Sequence, residues 1–190
     1  MRISPWGFRS EIMSHIVEEK FQGLLYLEGH HYRDERGSLE KPLYDGIIPG
    51  LMVDEVYYIR SKKNVLRGLH FQLAPFAQGK FISVVRGRIL DVVVDLRPHS
   101  PTCGEHVSYV LSEGDHRALY VPPGLAHGYL TLEDESLILY VQSGKYAPEA
   151  ERGIRYDSFG MDWGVSVPQL SQKDLGLPSL AEYLTRRESR

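Results

Sequence analysis

The sequence has a single cysteine, Cys103, and no apolar run approaches the length of a transmembrane helix. One cysteine cannot form a disulfide within the chain, which favours a reducing compartment. The first residues lack the apolar stretch and the small-residue cleavage site of a signal peptide, although Met13 offers a second candidate start. We therefore expect a cytoplasmic protein that has no membrane partner.

Positive charge is also too scarce for a typical nucleic-acid binder. The 190 residues carry a formal net charge of −3, because 22 Lys and Arg face 25 Asp and Glu. Proteins that bind nucleic acid usually present a basic stripe, so nucleic acid is not an expected partner. The chain shows no internal repeat, low-complexity tract or linker, and its length suits one domain, residues 1–190, of the larger all-β kind.

Helical periodicity is weak through most of the chain, whereas short β-branched and apolar runs are frequent. Phe81–Val85 and Arg88–Leu96 flank a short Gly-containing turn and predict a first hairpin. Gly128–Leu132 and Leu137–Gln142 flank a polar turn and predict a second, and Leu119–Val121 is a further short strand. Turn signals recur about every ten residues, which is typical of a sandwich or barrel.

These features predict an all-β fold, an antiparallel double-sheet barrel of the jelly-roll type. The mouth of such a barrel is a natural site for a small molecule. Helical character returns only at the C-terminus, where Leu180–Arg187 follows Pro178-Ser179 and predicts a short helix.

The predicted second hairpin groups polar side chains on one face. If Asp134-Glu135 forms its turn, Tyr140 lies opposite Tyr129, and both point to the same face as His127. The other face is uniformly apolar and is the expected core; it consists of Leu130, Leu132, Leu137, Leu139 and Val141.

The predicted first hairpin places Lys80 on the same face as Asp91 and Asp95. Charged side chains inside a barrel are costly unless they bind something. We therefore expect a polar ligand site inside the barrel.

A metal site is a separate possibility for a barrel of this kind, and it needs three converging His, Asp or Glu ligands. His70 has no histidine two positions later, and His99, Glu105 and His106 are too scattered to complete a ligand set. A metal-dependent cupin enzyme is thus a weaker alternative. A non-catalytic sugar-binding jelly roll is another, but it would not need His, Asp, Lys and Tyr together.

Several motifs resemble the dTDP-4-dehydrorhamnose 3,5-epimerase family. In chain order they are VLRGLHFQ, QGK, VVRGRILDVVVDLRPHSPTCG, YVPPGLAHGYLTLED and YAPEAERGIRYD. The resemblance extends over about residues 34–174. It implies a cupin-like jelly roll, usually a homodimer, with no cofactor or metal, that acts on nucleotide-linked 4-keto-6-deoxy sugars in deoxysugar biosynthesis and inverts C3, C5 or both.

The resemblance also implies roles for individual residues. His70 is the implied general base, Asp174 is the acid that pairs with it, Lys80 lies near the C4 oxygen, and Tyr140 returns a proton on the opposite face. The implied substrate-binding residues, of which the two arginines grip the diphosphate, are Arg36, Arg67, Gln72, His127, Tyr146, Glu151 and Lys173.

The implied roles suit the chemistry of a proton next to a ketone. A neutral imidazole held by Asp174 is a base poised near neutral pH. The enolate that forms must be stabilised, and Lys80 together with His127 can supply positive charge at its oxygen. The planar guanidinium group of arginine can donate two hydrogen bonds side by side, so arginine suits a diphosphate better than lysine would.

Three positions depart from the family pattern near the expected nucleoside site. The family typically has Gln and Asn where this chain has Glu55 and Tyr57, and a family glutamate falls on Lys41, beside Glu40. A carboxylate only accepts hydrogen bonds, so Glu55 would suit the amino groups of cytosine or guanine better than the carbonyls of thymine. A CDP- or GDP-linked 4-keto sugar is therefore the alternative substrate, unless Lys41 pairs with Glu55.

Overall fold

Strands make up most of the computed structural model, which describes residues 15–188, so that Met13 lies outside the described residues. The strands are β1 (His15–Glu19), β2 (Leu25–Glu28), β3 (His30–Asp34), β4 (Gly37–Lys41), β5 (Glu55–Ser61), β6 (Leu66–Gln72), β7 (Gly79–Arg86), β8 (Arg88–Asp95), β9 (His106–Ser112), β10 (Arg117–Val121), β11 (Leu125–Thr131), β12 (Ser136–Ser143) and β13 (Glu151–Gly153). A 3-10 turn spans Pro148–Ala150, and two short helices follow, α1 (Gln172–Leu175) and α2 (Leu180–Glu188). The second helix confirms the one predicted at the C-terminus.

Two antiparallel sheets face each other. The six-stranded sheet has the order β1-β2-β10-β7-β12-β5, and the five-stranded sheet has the order β13-β6-β11-β8-β9. Strands β3 and β4 form a separate hairpin. This arrangement confirms the predicted all-β, cupin-like double-sheet architecture. None of the helices in the described part of the chain is long and apolar enough to cross a membrane.

Apolar side chains fill three layers. The central layer lies between the sheets and includes Ile82 and Leu119 from one sheet and Ile89 and Val93 from the other. The C-terminal segment covers the outer face of the five-stranded sheet, and the segment around Ile47 and Ile48 covers the outer face of the six-stranded sheet. Strands such as β8 are consequently buried on both faces, which explains their nearly continuous apolar sequence.

The predicted first hairpin is wrong, because β7 and β8 belong to different sheets. Strand β7 pairs with β10 and β12, whereas β8 pairs with β9 and β11. Gly87 forms the corner with a φ of +79°, and a Cβ there would collide with the Ser136 side chain. The short Gly-containing turn therefore connects two sheets, and Asp95 points away from Lys80 to bind Arg97 at 2.7 Å.

The predicted second hairpin is wrong for the same reason. Strand β11 lies in the five-stranded sheet and β12 in the six-stranded sheet, so Tyr140 pairs with Tyr57 and Ile82 instead of Tyr129. The apolar face predicted for this hairpin divides accordingly between the two outer layers. Leu130 and Leu132 pack under the C-terminal segment, and Leu139 and Val141 pack under the segment around Ile47.

Candidate active site

Polar side chains from both sheets converge on one cleft. A cavity of about 270 Å³ is lined by Tyr57, Ile59, Arg67, His70, Lys80, His127, Tyr129, Tyr140, Ser171, Lys173 and Asp174. An adjoining cavity of about 160 Å³ shares three of these residues and adds Phe71, Gln72, Gln78, Gln142, Tyr146 and Glu151. A larger cavity of about 510 Å³ lies at the β3–β4 hairpin and contains none of these residues. The cleft therefore holds ten of the eleven predicted site residues.

A histidine–carboxylate pair stands at one wall of the cleft. His70 Nε2 lies 2.6 Å from Asp174 Oδ1, which leaves Nδ1 as the ring nitrogen that can accept a proton. The Ser171 side chain caps α1 and accepts a hydrogen bond from the Asp174 amide. Burial works against the ionised form of Asp174, but hydrogen bonds from His70 and Ser171 and the nearby charge of His70 outweigh it, so the pKa of Asp174 lies below its ordinary value. Asp174 thus stays ionised and fixes the imidazole.

Lys80 approaches the same histidine from the opposite sheet. Its Nζ donates a hydrogen bond of 3.4 Å to the His70 carbonyl oxygen. Burial lowers the pKa of Lys80 to about 8, although the negative charges of Glu151 and Asp91 counteract part of this effect. The ammonium group is therefore mostly charged at neutral pH and can stabilise an oxyanion in the cleft.

A second histidine–carboxylate pair lies deeper in the barrel. His127 Nε2 is 2.9 Å from both carboxylate oxygens of Asp91, and both side chains are buried. Burial raises the pKa of Asp91, while His127 and Lys80 act in the other direction. Asp91 did not appear among the predicted site residues, yet a carboxylate within the apolar run of β8 was a signal that could have identified it.

Two tyrosines complete the wall that faces His70. Tyr140 is only 4% exposed, and its ring stacks on that of Tyr57 with 5.2 Å between centroids. Burial, together with Tyr129, Asp91 and Tyr57, raises the pKa of Tyr140 well above 10. The Tyr140 phenol consequently remains protonated at neutral pH and can act only as a proton donor.

A bulge in β6 brings Arg67 and His70 into the cleft together. Residues three apart on a regular strand point to opposite faces. Here His127 pairs with His70 and Tyr129 pairs with Arg67, so two residues of β6 face one residue of β11. At this point a Cβ on Gly68 would lie 2.6 Å from the Gly128 Cα, which only glycine avoids. The Arg-Gly-Leu-His spacing thus depends on its glycine.

Known proteins are similar to this chain in sequence and in architecture. A family model for dTDP-4-dehydrorhamnose 3,5-epimerase matches residues 18–182. The chain belongs to this family. It is 36% identical to the Salmonella typhimurium enzyme of that name over 177 residues, 89% of this chain and 97% of that protein. It is 44% identical to the Mycolicibacterium smegmatis enzyme over 124 residues, and there it spans 61% of that protein's length.

A solved structure extends the comparison to three dimensions. The dTDP-4-dehydrorhamnose 3,5-epimerase of Bacillus anthracis, crystallised with TDP and pyrophosphate, superimposes with a TM-score of 0.84 and 33% identity. The comparison covers 88% of this chain and 99% of that one. The predicted family, fold class and enzyme class, an isomerase that acts on nucleotide sugars, are therefore confirmed.

Within this epimerase fold, a hydrogen-bonded group anchors Arg67. Its Nε donates to Ser61 Oγ at 3.1 Å, and Ser61 Oγ lies 3.2 Å from the Tyr129 hydroxyl. The guanidinium group is therefore held at the cleft wall by neighbours on β5 and β11. Ser61 and Tyr129 were not predicted as site residues because their contribution depends on sheet pairing.

The outer part of the cleft carries an ion pair. Lys173 Nζ is 2.7 Å from Glu151, which also accepts a 2.8 Å hydrogen bond from the Tyr146 hydroxyl. Burial opposes the ionisation of Glu151, but these two partners outweigh it, and the pKa of Glu151 lies below its ordinary value. Glu151, Lys173 and Tyr146 thus form one connected group at the entrance.

Gln72 lines the cleft, but its amide is engaged by backbone groups. Its Nε2 donates to the carbonyl oxygens of Phe76 and Lys145, and its Oε1 accepts from the Ala147 amide at 2.8 Å. The contacts observed for Gln72 therefore hold the loop that forms the wall, and a direct contact with substrate stays a prediction.

Arg36 is the predicted residue that the fold does not bring to the cleft. It lies at the turn between β3 and β4, with its side chain 69% exposed and an ion pair of 2.6 Å to Asp34. Residues that could hold a metal are also not grouped: between residues 15 and 188, no three His, Cys, Asp or Glu side chains are arranged for a metal ion. Metal independence itself stays a prediction.

Proposed function

We propose that the chain inverts one or both of the carbons that flank the ketone of a dTDP-linked 4-keto-6-deoxyhexose. The observation that carries this proposal is the placement of the His70–Asp174 pair on one wall of the cleft and Tyr140 on the wall opposite. Inverting a carbon requires that a proton leave one face of the sugar ring and return to the other.

In the first step, His70 Nδ1 removes the proton from the carbon next to the ketone. The electron pair of the broken C–H bond moves into the ring and onto the C4 oxygen, which becomes an enolate. Lys80 stabilises this charge from the opposite sheet. Asp174 stabilises the imidazolium that forms and keeps the ring oriented.

In the second step, the Tyr140 phenol delivers a proton to the other face of the same carbon, and the enolate collapses to the ketone. His70 then loses its proton to solvent, and Tyr140 regains one. The buried environment favours the neutral phenol, so the donor is restored as soon as a proton reaches it. The cycle consumes no cofactor.

The nucleotide part of the substrate would extend from the entrance of the cleft. Arg67 and Lys173 supply positive charge for the diphosphate, with Tyr146 and Glu151 beside them. The bound TDP of the Bacillus anthracis relative supports a thymidine carrier. Glu55 is 3.3 Å from Gln142 Nε2 and forms no ion pair with Lys41 within the described residues, and the comparisons give no support to a CDP or GDP carrier.

We propose that the protein is a homodimer in which Arg36 of one copy reaches the diphosphate in the other. Arg36 lies on an exposed hairpin outside the cleft of its own chain, so a second copy provides the shortest route to its implied role. We also propose that residues 1–190 form a single epimerase domain that works in the cytoplasm, as the lone cysteine suggests.

The test is NMR of the purified protein with a panel of 4-keto nucleotide sugars in deuterated water. Active protein should introduce deuterium at the carbon next to the ketone and change its configuration. The His70→Asn variant should lose both reactions while it still binds dTDP. Wild-type exchange in that variant would refute the assignment of His70, and binding of sugar without exchange by the native protein would favour a lectin.

A further inference from the structure

Tyr57 lies directly opposite Tyr140 in the pairing of β5 with β12, and both residues line the cleft. Their rings are parallel, with 5.2 Å between centroids and 4° between planes. We propose that Tyr57 is a positioning residue for epimerisation, whose ring holds the Tyr140 ring so that its hydroxyl faces the substrate. The inference rests on the proposed role of Tyr140 as proton donor.

Tyr140 needs such support because hydrogen bonds do not orient it. Its hydroxyl bonds to no other residue in the range 15–188, in contrast to His70, whose ring nitrogen is bound by Asp174. Within the central apolar layer, two aromatic rings lie against Tyr140: Tyr57 stacks on its face, and the His127 ring lies at 6.1 Å and 65° to it. His127 is itself fixed by Asp91, and Tyr57 supplies the parallel ring on which Tyr140 stacks.

Tyr57 is in turn held by a hydrogen-bonded chain along the same two strands. Its hydroxyl donates to Gln142 Oε1 at 3.1 Å, and Gln142 Nε2 donates to Glu55 at 3.3 Å. Burial beside Glu55 raises the pKa of Tyr57 to about 12, so the phenol remains a neutral donor in this chain. Because its proton is committed to Gln142, Tyr57 does not replace Tyr140 as the acid.

This geometry offers a new explanation for two departures from the family pattern, Glu55 and Tyr57, which the sequence alone linked to the choice of nucleobase. Glu55 and Tyr57 are the two ends of a single hydrogen-bonded chain, with Gln142 between them. The two substitutions therefore form one unit that stabilises a ring beside the proton donor, and selection of the nucleobase is not needed to explain them.

The first experiment compares three variants in deuterated water. Tyr57→Leu removes the stacked ring, and Tyr57→Phe keeps the ring but removes the bond to Gln142. Tyr58→Leu makes the same chemical change at the neighbouring residue, whose side chain is 62% exposed. For each variant, NMR measures both deuterium exchange at the reacting carbon and inversion of that carbon.

We expect Tyr57→Leu to lower the ratio of inversion to exchange by about threefold to tenfold, the range of an aromatic pair energy. Exchange does not use the Tyr140 proton, so it should change less. Tyr57→Phe should keep the ratio within about twofold of wild type, since it preserves the stacked pair. Tyr58→Leu should leave both rates unchanged. Equal losses of inversion and exchange in Tyr57→Leu would overturn the proposal.

A second comparison uses the Tyr140→Phe background, in which the donor is absent. If Tyr57 acts through the Tyr140 hydroxyl, adding Tyr57→Leu to this variant should change neither rate further. A continued loss in the double variant would show that Tyr57 contacts the substrate or supports the fold, and the proposal would fail.

A third measurement needs no turnover. In protein labelled with carbon-13 tyrosine, the Tyr140 ring should flip slowly in the native protein and faster in Tyr57→Leu, with Tyr58→Leu as the control. If the native protein is active but Tyr57→Leu changes neither the flip rate of the Tyr140 ring nor the ratio of inversion to exchange, the role of Tyr57 is overturned and the proposed function stands. Absence of epimerisation in the native protein overturns the proposed function and this role together.

Discussion

The activity should decline as pH rises through about 8, because Lys80 then loses the charge that stabilises the enolate. Burial lowers the pKa of this lysine from 10.5 to about 8, despite the opposing charges of Glu151 and Asp91. At ~1.4 kcal/mol per pKa unit, the cleft disfavours the charged form by about 3 kcal/mol relative to an exposed lysine. Below pH 8 the ammonium form dominates, and above it each further pH unit should reduce kcat/KM about tenfold.

The two stacked tyrosines of the cleft do not titrate in the same range. The pKa of Tyr57 is raised to about 12 and that of Tyr140 well above 10. Lys80 itself would not cause such a decline through unfolding, because it acts on stability with the opposite sign. Between about pH 8 and 10.5 the unfolded chain binds more protons at this lysine than the folded one does, so its contribution to the free energy of unfolding rises with pH.

The assay is kcat/KM from pH 6 to 10 for the native protein and two variants. Lys80→Met should lower kcat/KM by about 10²–10³ and abolish the decline near pH 8. Lys80→Arg keeps its charge beyond pH 12, so any activity that it retains should persist to higher pH. If Lys80→Met shows the same decline near pH 8 as the native protein, another group titrates there and the reasoning is refuted.

Three further predictions concern the donor, the cofactor and the carrier. Tyr140→Phe should reduce inversion more than deuterium exchange, because exchange does not use the Tyr140 proton; a parallel fall of the two rates in the NMR assay would contradict this. Prolonged chelation should leave activity intact, and a stoichiometric metal whose removal abolishes turnover would exclude the cofactor-free reaction. For one 4-keto sugar offered on dTDP, CDP and GDP, kcat/KM should be highest with dTDP, and a clear preference for CDP or GDP would restore the alternative based on Glu55.

The sequence located the strands well but not their partners. Runs such as Phe81–Val85 and Leu137–Gln142 are strands because they are β-branched and apolar, and the structure places both in strands. Strands buried on both faces do not alternate clearly, so periodicity does not tell which sheet a strand joins. A short turn with glycine fits a hairpin and a corner between sheets equally well, as Gly87 shows.

The site shows a similar division between what was predictable and what was not. Motif resemblance identified His70, Asp174, Lys80 and Tyr140, and the structure brings all four to one cleft. A local pattern could have singled out Asp91, as a carboxylate in an apolar run, but not its partner His127; the stacking of Tyr57 on Tyr140 likewise depends on strand pairing.

The sequence predicted that β11 pairs with β12, and the absence of this pairing in the structure matters for the chemistry. A hairpin would have put Tyr140 beside His127, in the sheet that also holds the proposed base His70. The donor and the base would then reach the same face of a sugar ring. In the structure, the turn between β11 and β12 carries the chain to the opposite sheet, so Tyr140 faces the wall that holds His70. A sugar between the two sheets can then lose a proton to one wall and receive a proton from the other. The proposed epimerisation mechanism therefore depends on the crossing between the two sheets at this short polar turn.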